Sequence, residues 1–265
     1  MAVTGCWIFM RHTGTVKKEV IEMGGHGNNE RAFVRLTKSE RIQHVILFVS
    51  TGLLILTGFM LMGEVWAIKL FGSAGKSIFY WRGIIHRVAA VAVTAVCFYH
   101  LYYVLFKTDG KSWIRAMLPR LKDGVDAYQN VMYMLGKRDE RPKMDRFTYL
   151  EKLEYFSVYF GMFIVISTGT MMWTQSYWPK FYLDVADALH LGEATLAALA
   201  IIVGHIFTVH YNPHVYPMNK AFIDGNISET MMKEEHSLWY ERIIAEEASK
   251  SANTAHATEG GHSNA

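Results

Sequence analysis

Apolar residues in this chain are gathered into four long runs, whereas a soluble domain would spread them periodically along each helix or strand. Each run is about long enough to cross the hydrocarbon core of a bilayer as a helix. The runs are Ile42–Met62, Ile84–Phe106, Phe156–Trp173 and Leu189–Val209. The pattern predicts an all-α integral membrane protein built as a four-helix bundle.

Polar segments flank these runs, and their composition predicts what each one forms. Pro213 follows the fourth run and ends that helix, because proline cannot continue one. A short helix is expected near Asp123–Leu135, in the connector between the second and third runs. The final residues are low in complexity, which is typical of disorder. The predicted domains are an N-terminal arm over residues 1–40, the membrane domain over 41–215, a tail helix over 216–250 and a disordered tail over 251–265.

Lysine and arginine are distributed unevenly around the four runs. Of the 27 in the chain, 22 lie in residues 1–41, in residues 107–152 and after residue 211, which share one side of a four-span topology. Because loops rich in Lys and Arg stay in the cytoplasm, both termini and the tail helix are predicted to be cytoplasmic. The five on the opposite side are Lys69, Lys76, Arg82, Arg87 and Lys180.

Cysteine usage limits the kinds of redox centre that the chain can hold. Its cysteines are Cys6 and Cys97, and no C-x-x-C-H motif occurs. Covalent c-type haem, iron–sulfur clusters and thiolate zinc sites are therefore excluded. A redox centre in this chain would be held by histidine.

Histidines near the ends of the runs are the strongest chemical signal. His86 and His100 are 14 residues apart and His190 and His205 are 15 apart, which is roughly 21 and 22 Å along a helix. An imidazole inside a membrane is costly and usually functional. His86 and His190 are both expected near the outer surface of the membrane, while His100, His205 and His44 are expected nearer the cytoplasm. Since axial ligation of haem needs two imidazoles at one depth, the pattern predicts two b-type haems between the helices.

A plainer interpretation is that these histidines only bond lipid headgroups or loops, but their matched depths favour ligation. A weak internal repeat supports equivalent positions in the two halves of the bundle, since Leu56–Met60 is similar to Ser167–Met171. Arg87, beside His86, has two interpretations: it pairs with a haem propionate, or it reaches the lipid headgroups.

At these residues the chain resembles the cytochrome b (gamma) subunit family of membrane-bound formate dehydrogenases and nickel–iron hydrogenases. The resemblance covers residues 38–215. It implies four helices in the bacterial inner membrane, two b haems, a redox partner on the periplasmic side and a quinone site near the cytoplasmic haem. The motifs that carry it are Arg41-Ile-Gln-His44, Thr57-Gly58, Ile84-Ile85-His86-Arg87 and the histidine pair of the fourth run.

The resemblance also implies a ligand set: His86 with His190 for the outer haem, and His44 with His205 for the inner haem. This chain departs from the family pattern in having His100 and in spacing its last pair by 15 residues where the family usually has 14. The partner of His205 is therefore either His44, by resemblance, or His100, by depth and symmetry. We expect the other one to serve the quinone site or a further haem.

These expectations describe an electron-transfer subunit. It would carry electrons between the quinone pool, with quinone or menaquinone as substrate, and a periplasmic multihaem cytochrome, iron–sulfur protein or dehydrogenase. Its other partner is lipid, and nothing in it points to nucleic acid. Glu151 and Glu154 are candidate proton carriers. The alternatives are a haem-free membrane anchor of a respiratory complex, and a proton or metal-ion transporter, which would need more acids within the spans than Glu193.

Overall fold

The computed structural model of the protein describes residues 30–211 and 215–260. Residues 1–29 of the predicted arm, the predicted helix stop at Asn212-Pro213 and residues 261–265 of the predicted tail lie outside these described residues. The chain divides into two compact units. Among the described residues, one unit comprises 34–115, 154–211 and 215–226, and the other comprises 30–33, 116–153 and 227–260.

Among the described residues, four helices are long and apolar enough to cross a membrane, which confirms the main prediction from the hydrophobic pattern. The spans are Lys38–Phe71, Ser73–Phe106, Tyr149–Trp173 and Lys180–Tyr211. The first two contain 34 residues each, or about 51 Å of helix, well beyond the roughly 30 Å of a hydrocarbon core. Residues 63–81 and 174–188, which lie between the apolar runs, are also mostly helical.

Local sequence explains where the first span begins and how it meets the second. Thr37 and Glu40 form a capping box, in which the Thr37 backbone N–H donates to the Glu40 carboxylate at 2.8 Å. A turn of 3₁₀ helix, Met60–Gly63, joins the helices Lys38–Phe59 and Glu64–Phe71 within the span. Gly72 then has φ +56°, which only glycine adopts easily, and lets the chain enter the second span.

The second span is the most buried of the four. In its most apolar stretch 28% of the residues are buried, against 6% in the fourth span. Ala89, Val93 and Val96 face inward, and the first two spans pack against each other. Many large apolar side chains of the spans are exposed, as expected for residues that face lipid.

The regions beyond the membrane spans differ from the predicted domains. The helix Leu121–Met134 confirms the one predicted in the connector, and Thr108–Met117 is a further helix. The predicted single tail helix over 216–250 is wrong: that stretch holds the helix Ala221–Asp224, a strand and two helices that are separated at His236. The strand is Asn226–Ser228, and the two helices are Glu229–Glu235 and Ser237–Gly260. The strand pairs with a second short strand, Ala32–Val34.

The last helix also runs through residues 251–260, which were predicted to be disordered. This stretch contains three alanines and Glu259, which favour helix, and the helix continues past the predicted end. The core of this unit consists of Phe33, Ile227, Met232 and Trp239. Ser228 caps the helix that carries Met232, because its hydroxyl accepts from the Met231 backbone N–H at 3.3 Å.

Asp145 joins several parts of the second unit. Its carboxylate accepts from the Arg146 backbone N–H at 2.7 Å and pairs with Arg242 and with Arg120. Its carbonyl oxygen accepts from His236 Nδ1 at 2.9 Å. Partial burial raises the pKa of Asp145, but the Arg146 N–H and the guanidinium groups of Arg242 and Arg120 outweigh it, and the pKa lies below the usual aspartate value.

We expect Asp145→Asn to destabilise this unit by about 1–3 kcal/mol at neutral pH, because it removes charged hydrogen bonds. Hydrogen exchange of peptides from residues 237–250 of the full chain measures the effect. Because the pKa of Asp145 is lower in the folded state than in the unfolded state, its carboxylate stabilises the fold at every pH above the unfolded-state pKa. This stabilisation is lost as the pH falls through the folded-state pKa. The difference between wild type and variant should therefore shrink below about pH 4.

Asp184→Asn is the matched control, since its pair with Lys180 is exposed on both sides. Exposed pairs contribute between about 0 and 1 kcal/mol. Equal effects of the two substitutions would contradict a special role for Asp145.

Candidate haem-binding histidine pairs

The second and fourth spans bring two imidazoles together, those of His86 and His190. Their ring centres lie 6.5 Å apart. An imidazole nitrogen binds a transition metal at about 2 Å, so two imidazoles on opposite sides of one metal ion have ring centres roughly 6 Å apart. The separation is that of two axial ligands on one iron.

Two threonines fix the orientation of these imidazoles. Thr57 Oγ1 lies 2.8 Å from His86 Nδ1, and Thr168 Oγ1 lies 3.0 Å from His190 Nδ1. Each hydroxyl has only one hydrogen, and each donates it to a carbonyl four residues earlier in its own helix, at 2.5 Å for Thr57 and 2.7 Å for Thr168. The hydroxyl must then accept from the imidazole, so both Nδ1 atoms carry the proton. Both Nε2 lone pairs are therefore left free to bind a metal.

A glycine follows each threonine and lies beside the ring of the histidine. A Cβ on Gly58 would lie 3.8 Å from His86 Cε1, and one on Gly169 would lie 3.2 Å from His190 Cε1. The second distance is tight, so a side chain at position 169 would displace the ring of His190. The Thr-Gly repeat of the sequence thus corresponds to two similar sites, in each of which a threonine hydroxyl bonds the imidazole Nδ1 and a glycine lies beside the ring.

A second imidazole pair forms between the first and fourth spans. The ring centres of His44 and His205 lie 6.3 Å apart. His205 Nδ1 lies 3.3 Å from the Glu154 carboxylate, which only accepts when ionised. His44 packs beside Phe222, and its Nδ1 is buried without a hydrogen-bond partner among the described residues. Its separation is within 0.2 Å of that of the first pair, but no described threonine hydroxyl bonds its imidazoles.

His100 has different surroundings from the four paired histidines. Its Nδ1 lies 2.7 Å from Gln43 Oε1, and its Nε2 lies 3.3 Å from the Tyr155 hydroxyl. Both ring nitrogens are therefore engaged within the protein. The imidazole is enclosed by aromatic rings, those of Tyr103, Trp113, Tyr155 and Tyr159. The fold places His44, and not His100, against His205.

The fourth span leaves α-helical geometry just where its second histidine occurs. Residues Ala200–His205 and Phe207–Tyr211 form π-helical turns. A π turn bonds each N–H to the carbonyl five residues earlier, so it takes up one more residue per turn than an α-helix. This wider turn accommodates the 15-residue spacing between His190 and His205. Both imidazoles consequently face partners inside the bundle.

The acidic residues singled out in the sequence have distinct positions. Glu151 caps the third span, since its carboxylate accepts from the Thr148 backbone N–H at 2.8 Å. Glu154 lies on His205, as described above. Glu193 lies against the backbone of Gly161, where any Cβ would collide with its carboxylate.

The number of donors in each pair indicates what could bind there. Among the residues that the structure describes, no group of three or more His, Cys, Asp or Glu side chains comes together as a metal site. Zinc sites in proteins use three or four side-chain ligands. A haem iron receives four nitrogens from its porphyrin and takes only axial ligands from the protein. Paired imidazoles with free Nε2 atoms therefore fit a haem better than a free ion.

Sequence reasoning had identified all four paired histidines but not the groups that hold them. The threonines were visible in a short repeat, and Thr57 also in one motif of the family resemblance, but neither indicated a bond to histidine. The resemblance to the cytochrome b subunit family likewise rests on short motifs around these positions. No protein-family model matches this chain, and a search of curated proteins gives no significant match.

Proposed function

We propose that this chain is a membrane electron-transfer subunit that holds two b haems, one between His86 and His190 and the other between His44 and His205. The observation that carries the proposal is the pairing of four imidazoles at 6.5 Å and 6.3 Å, at two positions along the spans. In the first pair, the bonds to Thr57 and Thr168 also leave both Nε2 atoms available to a metal.

The protein's own residues would orient and tune each centre. A bound haem would supply a reversible one-electron centre at each pair. Thr57 and Thr168 would hold the imidazoles of one pair as neutral ligands. Glu154, with its negative charge beside His205, would make that imidazole a stronger electron donor. The two centres would therefore differ in reduction potential.

The proposed direction across the membrane follows the distribution of positive charge. The His44/His205 pair belongs to the ends of the spans that adjoin the Lys- and Arg-rich segments, which stay in the cytoplasm. We propose that this centre exchanges electrons with quinone or menaquinone in the bacterial inner membrane. The His86/His190 centre would exchange electrons with a redox partner on the periplasmic side, as the family resemblance implies.

The absorbance spectrum of the purified chain tests the proposal. Protein expressed with ample haem should show sharp b-type bands after reduction with dithionite, and a pyridine haemochrome assay should give two haems per chain. Colourless protein would contradict the proposal and favour the haem-free anchor or the transporter.

A further inference from the structure

Two arginines occupy equivalent positions beside the two histidine pairs. Arg41 precedes His44 by three residues and Arg82 precedes His86 by four. Residues three or four apart lie on the same face of a helix. Each guanidinium therefore belongs to the face that carries its histidine, one turn nearer to the end of the span.

Both guanidinium groups are held in the same way. Arg82 Nη1 donates to the Thr57 carbonyl at 2.9 Å, and Arg41 Nη1 donates to the Ile223 carbonyl at 2.5 Å. The Nε–H of each arginine is buried, and no described residue offers it a hydrogen-bond acceptor. A buried, unpaired donor on a cation is costly, and native structures rarely contain one without a reason.

The geometry of the guanidinium indicates which ligand would satisfy this donor. With Nη1 held by a carbonyl, the edge formed by Nε and Nη2 is left for another group. Two parallel N–H bonds on such an edge match the two oxygens of a carboxylate. Phosphate oxygens match the same fork, so the shared ligand chemistry is an oxyanion.

We infer that Arg41 and Arg82 each bind a propionate carboxylate of the haem held by the neighbouring histidine pair. The inference rests on the proposed function, and it assigns propionate binding to two residues that the spacing of the histidines alone would not identify. The sequence left open whether Arg87 pairs with a propionate or reaches the lipid headgroups, and its guanidinium lies over the Trp173 ring at 5.9 Å. Arg82, one turn away from the histidine, has the unsatisfied donor.

Reconstitution with two forms of the cofactor provides a direct test. Purified full-length apoprotein is titrated with haem b and with haem b dimethyl ester, whose propionates are uncharged. The wild type should bind the ester about tenfold or more weakly than haem b, because charged hydrogen bonds are lost. The double variant Arg41→Gln, Arg82→Gln should bind both forms alike. If the wild type does not distinguish the two, the inference fails and a lipid phosphate is the better oxyanion.

Redox titration of single variants separates the two sites. A nearby cation favours the reduced, less positive haem, so Arg82→Gln should lower one midpoint potential and Arg41→Gln the other. Arg82→Lys keeps the charge and should recover most of the shift, which also excludes misfolding as the cause. Arg87→Gln removes the same charge next to the same histidine but no propionate bond, so it should shift the potential less than Arg82→Gln does.

The outcomes distinguish this inference from the function on which it rests. A wild-type chain that takes up no haem overturns the proposed function. A chain that binds two haems, but in which Arg82→Gln acts no more strongly than Arg87→Gln, overturns the role of Arg82 alone.

Discussion

Replacing His190 with alanine is expected to remove one haem and leave the other. The His190 ring lies 6.5 Å from that of His86, so the substitution leaves one axial ligand where two are needed. Loss of groups that merely support a metal ligand already weakens metal binding by about 10–100-fold, and loss of the ligand itself should cost more. The pyridine haemochrome assay should therefore fall from two haems per chain to one, as it should for His86→Ala.

His210→Ala serves as the matched control, because His210 is in the same span and its ring contacts that of Tyr211. This variant should keep both haems. If His190→Ala and His86→Ala each retained two haems, the assignment of this pair as ligands would be wrong.

The second large effect distinguishes His44 from His100 as the partner of His205. We expect His44→Ala to lose the other haem, because its ring lies 6.3 Å from that of His205. His100→Ala should keep both, because the two nitrogens of His100 are engaged by Gln43 and Tyr155. Haem content and the reduced spectrum of the two variants, prepared in parallel, decide between them. The reverse result would favour the symmetric arrangement that the sequence repeat suggested.

The hydrophobic pattern was sufficient to predict the membrane spans. A helix that crosses a bilayer needs about 20 apolar residues, and this requirement identified all four runs. The exact ends of the helices were not predictable in the same way. The first two spans reach far beyond their apolar runs because Thr37 and Gly72 fix where the helices begin and turn.

Matched depth along the helices predicted which histidines meet, and depth alone could not choose between His44 and His100. That choice depends on which helix face each imidazole occupies in the packed bundle, and on neighbours such as Gln43 and Tyr155. The bonds that Thr57 and Thr168 accept from the two imidazoles could not be predicted either, because a threonine in a membrane helix usually bonds only its own backbone. Residues 216–260 were mispredicted where short elements depend on pairing with distant parts of the chain.

The wide π turns before and after His205 have an evolutionary consequence. An inserted residue in a regular helix rotates everything after it by about 100° and would turn a ligand away from its metal. A chain that absorbs the insertion within one locally widened turn keeps its downstream residues in place. Homologues can therefore differ by one residue between these two histidines and still keep both imidazoles facing the same partners, and a correct alignment would open a gap within Ala200–Gly204.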